Sequence, residues 1–357
     1  MIQQKIFRCS ILCAFLLKAS TGHAEKRLLE DTIASSCQTS FENDHIAKQK
    51  SYTNLSTAIE PPVNKTFFLF YDYVYPSFIP NHLITVKTSL GYFGDVLDVT
   101  SAAEATLIFV LPYLKNGTFY KGEYSNKLVI GVSAEAYVYD PAIVNLSLSF
   151  PHIKTENYLR FPYYANFAFS PETLLHKEKL YKEKREFCGF LVSNYHQVSL
   201  YKRKYDGVLA RDSLFKKLSA YKLVKSGGKH LNNIGFLVPK HETKRWLSQF
   251  KFIICYENQS YDGYVTEKVF NAYNAGAIPI YYADRSVLQD INPRAIIFAP
   301  DFESEEALIE YIVKVDTDDA LYRSIWDEPL MVDPYYSSDA YQQRLREKLA
   351  KHIIPYL

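Results

Sequence analysis

The sequence predicts an α/β protein made of two parallel-sheet lobes, on three observations. Short apolar runs of strand length recur along the chain, and in its second half they alternate with helical patterns, which is the arrangement of a parallel sheet covered on both faces. The 357 residues, at 41.3 kDa, exceed what one hydrophobic core usually fills. The series of runs opens afresh at Phe187-Cys188-Gly189-Phe190-Leu191-Val192, so the pattern occurs twice. With 48% hydrophobic and 22% charged residues, 13 glycines and no repeat, the composition is that of a folded chain and excludes fibrous and disordered classes. The 41 basic residues barely outnumber the 39 acidic ones and form no dense block, so nothing marks a nucleic-acid partner. Thirty tyrosines suit a sugar partner, because tyrosine can pack on a ring and donate a hydrogen bond as well.

The first lobe is assigned to residues 63–175, with strands at 66–71, 105–111, 127–132 and 143–148; residues 72–104 show no pattern. The second is assigned to residues 176–335. After its opening strand come helical patterns at 210–221 and 242–250, a strand at 251–255, a helix at 264–275, strands at 277–282 and 295–299, and a helix at 304–315 with Ser304 as N-cap. A final helix is expected within 336–357. Residues 25–62 are polar, lack a period and end in Pro61-Pro62, as a tail or linker would. At the amino end Lys5 and Arg8 precede the apolar run from Cys9 to Leu17, and Gly22-His23-Ala24 supplies small residues for cleavage. Residues 1–24 therefore read as an export signal, with a short signal anchor and membrane association through it as the alternative; the run is well short of the ~20 residues of a spanning helix. Beyond the signal, Cys37, Cys188 and Cys255 are odd in number without CxxC spacing, so neither a disulfide framework nor a zinc site is indicated. Asn-x-Ser/Thr acceptors occur at Asn54, Asn64, Asn116, Asn145 and Asn258.

The densest polar cluster in an apolar setting follows the strand at 251–255 and runs from Tyr256-Glu257-Asn258 to Thr266-Glu267-Lys268. On a helix starting near Asp262, Tyr264, Glu267 and Lys268 share one face while Val265, Val269 and Tyr273 share the other. A cation in the first turn of a helix opposes the macrodipole, so Lys268 calls for an anion at that helix end, such as a diphosphate.

The stretch from Lys251 to Tyr282, with Cys-Tyr-Glu-Asn at 255–258, Tyr-Val-Thr-Glu-Lys at 264–268 and Ala-Gly-Ala-Ile-Pro-Ile-Tyr-Tyr at 275–282, closely resembles the signature of glycosyltransferase family 10, the α-1,3/4-fucosyltransferases, and its bacterial members most of all. Tyr158 to Tyr164, Phe187 to Asn194, and Arg211 to Gly235 with Ser226-Gly227-Gly228-Lys229 resemble the same family in the same order. The resemblance implies a GT-B architecture of two facing Rossmann-like lobes with a cleft between them. It also implies inverting transfer of L-fucose from GDP-β-L-fucose to a glycan hydroxyl, such as the 3-hydroxyl of N-acetylglucosamine. Family positions that contact the donor correspond to Arg211, Asn258, Tyr264, Glu267 and Lys268, with Arg211 and Lys268 as the cations facing the diphosphate and no metal required. A Golgi-like lumen would join the export signal to the donor; a bacterial periplasm or membrane surface is the alternative compartment.

Inversion needs a base for the acceptor hydroxyl. The family's Gly-Glu-Asn triplet is absent here, where the chain reads Gly131-Val132-Ser133-Ala134-Glu135-Ala136, but matching Ile143 to Phe150 without a gap sets Glu135 on the catalytic glutamate. Glu104 and Glu123 are its rivals. Two other readings are carried forward: a single-lobed, metal-dependent transferase using Asp316-Thr317-Asp318, to which no metal role is assigned, and a non-catalytic secreted sugar-binding or nucleotide-sugar-binding protein that kept the fold and lost the base.

Overall fold

Strands β1 (Lys65–Asp72), β2 (Gly94–Asp98), β3 (Leu107–Val110), β4 (Leu128–Val132), β5 (Leu146–Ser149) and β6 (Tyr158–Arg160) form a first sheet in the order β2-β1-β3-β4-β5-β6. Strands β7 (Glu186–Phe190), β8 (Val224–Ser226), β9 (Phe250–Tyr256), β10 (Ile278–Tyr282) and β11 (Ile297–Phe298) form a second, ordered β11-β10-β9-β7-β8. Each pair in both sheets is parallel. The computed structural model describes residues 65–72, 86–87, 89–91, 93–110, 124–133, 135–162, 186–193, 205–332 and 339–353. The chain divides into the units Met1–Glu60 and Pro61–Leu357, and the described residues belong to the second. The export signal, Cys37, the whole of the linker, Glu123 and the acceptors at Asn54, Asn64 and Asn116 lie outside the described residues. Among the described residues no helix is long and apolar enough to cross a membrane.

Burial explains which strands were legible. β3, β4 and β5 are buried at every position, and a strand covered on both faces must be apolar throughout. β2 lies at the sheet edge with three of its five residues exposed, so it leaves no apolar run to mark it within 72–104. Helices α1 (Asp206–Leu218), α2 (Thr243–Leu247), α3 (Glu267–Asn274), α4 (Glu305–Thr317), α5 (Asp319–Trp326) and α6 (Asp339–Ile353) accompany the second sheet in the chain order, with short 3-10 turns between them. The expected strand at 295–299 is only two residues long, because Pro293 opens a short 3-10 turn before it. The Ser304 side chain does cap α4, accepting from the Ala307 N–H at 3.1 Å.

The second sheet has a core on each face. Trp246, Phe250, Val269, Phe270 and Tyr281 are among the residues on one side; Phe190, Leu214, Phe252, Ile312 and Tyr322 are among those on the other. Cys188 and Cys255 are free, buried thiols whose pKa values burial raises, so they act as core filler. The two sheets meet through a polar clamp. Arg160, at the end of β6, forks onto Asp290 at 3.2 and 2.6 Å and donates through Nε to the Phe150 carbonyl at 2.8 Å. His152 donates its backbone N–H to Asp262 at 2.9 Å, sets Nδ1 2.9 Å from the same carboxylate, and holds Nε2 3.6 Å from Asp290. From the other end of the chain, α6 returns to the first lobe, where Lys348 donates to the Thr155 carbonyl at 3.1 Å and Lys351 pairs with Glu156.

Asp290 raises the pKa of His152 most; burial and Arg160 oppose the rise, and Asp262 adds to it. Burial would raise Asp262, but its bonds to His152 and Ser286 outweigh burial and lower it. A raised histidine contributes stability that is complete below its unfolded pKa of about 6.5 and is lost as pH rises through the folded value, while a lowered aspartate contributes stability that is complete above its unfolded pKa of about 3.9 and is lost as pH falls through the folded value. The clamp is therefore strongest between those limits. His152→Gln is expected to cost about 1–2 kcal/mol at pH 6 and distinctly less at pH 8.5. Denaturant unfolding of both proteins at the two pH values checks this, and a cost independent of pH would contradict it.

Candidate active site

Numbered within its own lobe, each sheet follows the order 2-1-3-4-5, the first with an added sixth strand, so strand order reverses between β1 and β3 and again between β7 and β9. Ligands of such sheets bind beyond the carboxyl ends of the strands at the reversal. The polar cluster of residues 257–268 leaves β9 at that point.

Its first residue, Glu257, is fully buried and was assigned no role from the sequence. Oε1 accepts from the Thr266 N–H at 2.7 Å and the Tyr281 hydroxyl at 3.1 Å; Oε2 accepts from the Thr266 hydroxyl at 2.7 Å and Lys268 Nζ at 2.9 Å. Lys268 donates in addition to Thr266 Oγ1 at 2.8 Å and remains 20% exposed. Burial disfavours its charge, but Glu257, Glu267 and Glu135 outweigh burial and raise its pKa above the ordinary lysine value. The anion that Lys268 was expected to need at a helix start is thus, before any ligand, the protein's own Glu257.

The expected helix from Asp262 is corrected. α3 begins at Glu267 with Thr266 as an extended N-cap, because Gly263 takes φ +63° and turns the chain. The turn presses Gly263 against the first lobe, where a Cβ would stand 2.4 Å from the Phe150 carbonyl. Tyr264, Glu267 and Lys268 therefore do not share a helical face. Tyr264 is buried at the junction of the lobes, edge-on to Phe150 with 5.0 Å between ring centres, in a small apolar cluster with Ala136 and Tyr261. Glu267 occupies the first turn of α3 and is half-buried.

Arg211 lies on α1 and is 1% exposed. It was read from the sequence as a fork open to phosphate, or as an ordinary surface arginine; in the fold it is buried and donates to Asn258 Oδ1 at 3.1 Å. Burial lowers its pKa, with Asp212 and Glu257 opposing. The start of α1 is pinned to the cluster, since Asp206 accepts from the Ser260 N–H at 3.1 Å and the Tyr282 hydroxyl at 2.7 Å. Gly207 is required there, for a Cβ would meet the Glu257 carbonyl at 1.9 Å. After β8, the Ser226-Gly227-Gly228 stretch is tied to α1 through His230, whose Nε2 stands 2.8 Å from both oxygens of Asp212.

Glu135 follows β4, at the carboxyl end of the first sheet. The Tyr264 hydroxyl donates to its Oε2 at 3.1 Å, so this first-lobe carboxylate meets the second-lobe cluster. Burial raises the Glu135 pKa, while the Tyr264 hydrogen bond and Lys268 pull it down. Tyr205, just before α1, senses both groups: burial and Glu135 push its phenol up to about 12 against Lys268. It went unnoticed in the sequence because an isolated tyrosine among thirty carries no signal. Of the rivals, Glu104 is exposed before the amino end of β3, on the wrong side of the sheet. Asp316 is buried and pairs with Lys222 and Lys251, and Asp318 caps α5 by accepting from the Leu321 N–H at 3.0 Å, so both aspartates of that pair are committed to structure. Among the described residues no group of three or more His, Cys, Asp or Glu could hold a metal ion.

Residues 181–347 match the family model described as glycosyltransferase family 10 (fucosyltransferase) C-term. A protein of Acanthamoeba polyphaga mimivirus named a putative fucosyltransferase is 32% identical over 180 residues, 48% of this chain and 28% of that protein. The alpha-(1,3)-fucosyltransferase of Helicobacter pylori is 32% identical over 148 residues, 41% of this chain and 28% of its own length. The matches thus span under a third of these relatives. A crystal structure of an alpha1,3-fucosyltransferase superposes with a TM-score of 0.65 over 83% of this chain and 93% of that one, at 19% identity, and the fold is accordingly GT-B.

Gly207→Ala should cost about 1–3 kcal/mol, as overpacking does, because the atom it meets is backbone. Thermal unfolding checks this; an unchanged melting temperature would mean that α1 shifts freely against the Glu257 carbonyl.

Proposed function

We propose that this chain, whose residues 181–347 match the model of glycosyltransferase family 10, is an inverting fucosyltransferase that moves L-fucose from GDP-β-L-fucose to a hydroxyl of a glycan, such as the 3-hydroxyl of N-acetylglucosamine. The observation that carries the reading is the meeting of Glu135 with the Tyr264-to-Lys268 segment across the lobes. A carboxylate to take the acceptor proton and a cation for the leaving group then belong to one site, which also speaks against a binding protein that has lost its base. The donor lies at the carboxyl ends of the second sheet, with its diphosphate toward Lys268 and the start of α3 and with Asn258, held by Arg211, alongside. As the anomeric bond breaks, negative charge collects on the diphosphate and positive charge on the sugar ring; Lys268 meets the first, with the buried Arg211 acting through Asn258, and Glu267 and Tyr264 border the second. Glu135 takes the proton of the attacking hydroxyl, and attack opposite the departing diphosphate inverts the anomeric centre. The export-signal reading of residues 1–24 favours the secretory lumen as the place of action.

The resting pKa of Glu135 sets the acid limb of the rate. A base raised by burial is protonated, and idle, up to a higher pH than an ordinary glutamate. kcat/KM should rise through an apparent pKa above 4.5. Tyr264→Phe removes a bond that favours the carboxylate, so the limb should move to still higher pH. Glu135→Gln should keep GDP affinity and lower kcat by about 10²-fold to 10⁴-fold. If instead Glu135→Gln weakens donor binding and leaves kcat alone, the base is another group.

The leaving group is tested separately. Lys268→Ala should lower kcat roughly 10²-fold, and the wild-type rate should persist in a chelator because side-chain cations neutralise the diphosphate. Reversible loss of all activity on chelation would overturn the metal-free reading.

A further inference from the structure

The proposed reaction assigns Glu257 no contact, yet it is 0% exposed and accepts four hydrogen bonds. A buried carboxylate is poor evidence of a stability device, since well-packed apolar residues commonly serve a core as well or better. Its donors explain why it is there. They come from the residue before α3, from the second residue of α3 and from β10, and they meet where β9 ends. An ammonium carries three N–H donors on a flexible four-carbon stem. In Lys268 two of them are directed to Glu257 Oε2 and Thr266 Oγ1, and Thr266 is itself held by both oxygens of Glu257. The third is left for a ligand.

We propose that Glu257 is the positioning residue of the leaving-group clamp: it fixes Lys268 at the start of α3, with one N–H direction kept for a diphosphate oxygen, before the donor arrives. This rests on the fucosyltransferase reading of the site. The arrangement has a second consequence. Glu257 places a negative charge behind Lys268, so the clamp is preorganised without being strongly cationic, and the GDP product is held less tightly than an unpaired Lys268 would hold it. Positioning and product affinity therefore respond to Glu257 in opposite directions, which a purely structural role would not do.

Glu257→Gln, close to isosteric, separates the cases. Expected are a kcat lower by about 10-fold or more, and a GDP dissociation constant, by calorimetry, that is unchanged or smaller. The Lys268 13Cε resonance, in protein labelled with 13C-lysine, should start to titrate at least about one pH unit lower than in wild type. Should Glu257→Gln fail to fold by circular dichroism, Glu257→Asp keeps the charge and withdraws it by one methylene, and should lower kcat while leaving the Lys268 titration near that of wild type. The inference is overturned if kcat in a folded variant equals that of wild type, if GDP affinity falls in parallel with kcat, or if the Lys268 titration in Glu257→Gln does not move. A wild-type protein that turns over no GDP-fucose would instead refute the fucosyltransferase reading, and the titration of Lys268, which needs no turnover, still decides whether Glu257 sets its charge.

Discussion

A carboxylate taken fully out of water is tolerated only where hydrogen bonds and an opposite charge replace its hydration, and Glu257 meets that condition with donors from three separate elements. If it were not charged, Lys268 would be a cation at the wrong end of a helix; if Lys268 were absent, Glu257 would be a buried anion with only neutral partners. Each makes the other acceptable. The carbonyl of the same residue limits the approach of α1, so that Gly207, and through α1 also Arg211, take their places from it. One residue at the end of one strand thus sets a loop, the start of one helix and the distance of another.

The second dependence runs between the lobes. Gly263 can bend the chain because it has no side chain, and the bend brings its neighbours to the first lobe: Asp262 to His152, and Tyr264 to Phe150 and Glu135. A continuous helix from Asp262 would have carried Tyr264 away from that junction. The loop that closes the lobes together is also the loop that delivers Lys268. For the proposed reaction the geometry of base and leaving-group clamp is therefore not set independently, since both hang on ten residues between Glu257 and Thr266.

Buried strands were legible because burial on both faces forces a continuous apolar run, and β3, β4 and β9 are such strands. β2 was not, for its mostly exposed residues follow no apolar rule. The start of α3 was misplaced by helical spacing, which is blind to the one glycine whose φ ended the pattern. Glu135 could be singled out without the family's triplet because Ile143 to Phe150 after it match the family pattern without a gap, and Glu257 was passed over because a glutamate beside a lysine-bearing helix looks the same in sequence whether solvated or buried. What periodicity cannot supply is the partner: nothing local in Tyr264 announces a carboxylate 129 positions away.

Those partners give the site its electrical character. Burial raises Glu135 while the Tyr264 hydroxyl and Lys268 lower it, so its proton affinity is a balance in which Lys268 takes part. A diphosphate arriving at Lys268 would neutralise that cation and add negative charge, and both effects raise the proton affinity of Glu135. On the proposed reading, donor binding therefore makes the base stronger at the moment an acceptor proton is to be taken. As fucose leaves and further charge moves onto the diphosphate, the same field favours the protonated Glu135 that the transfer produces. On that reading, the proximity of base and clamp, set by one bent loop, couples the two halves of the reaction through electrostatics.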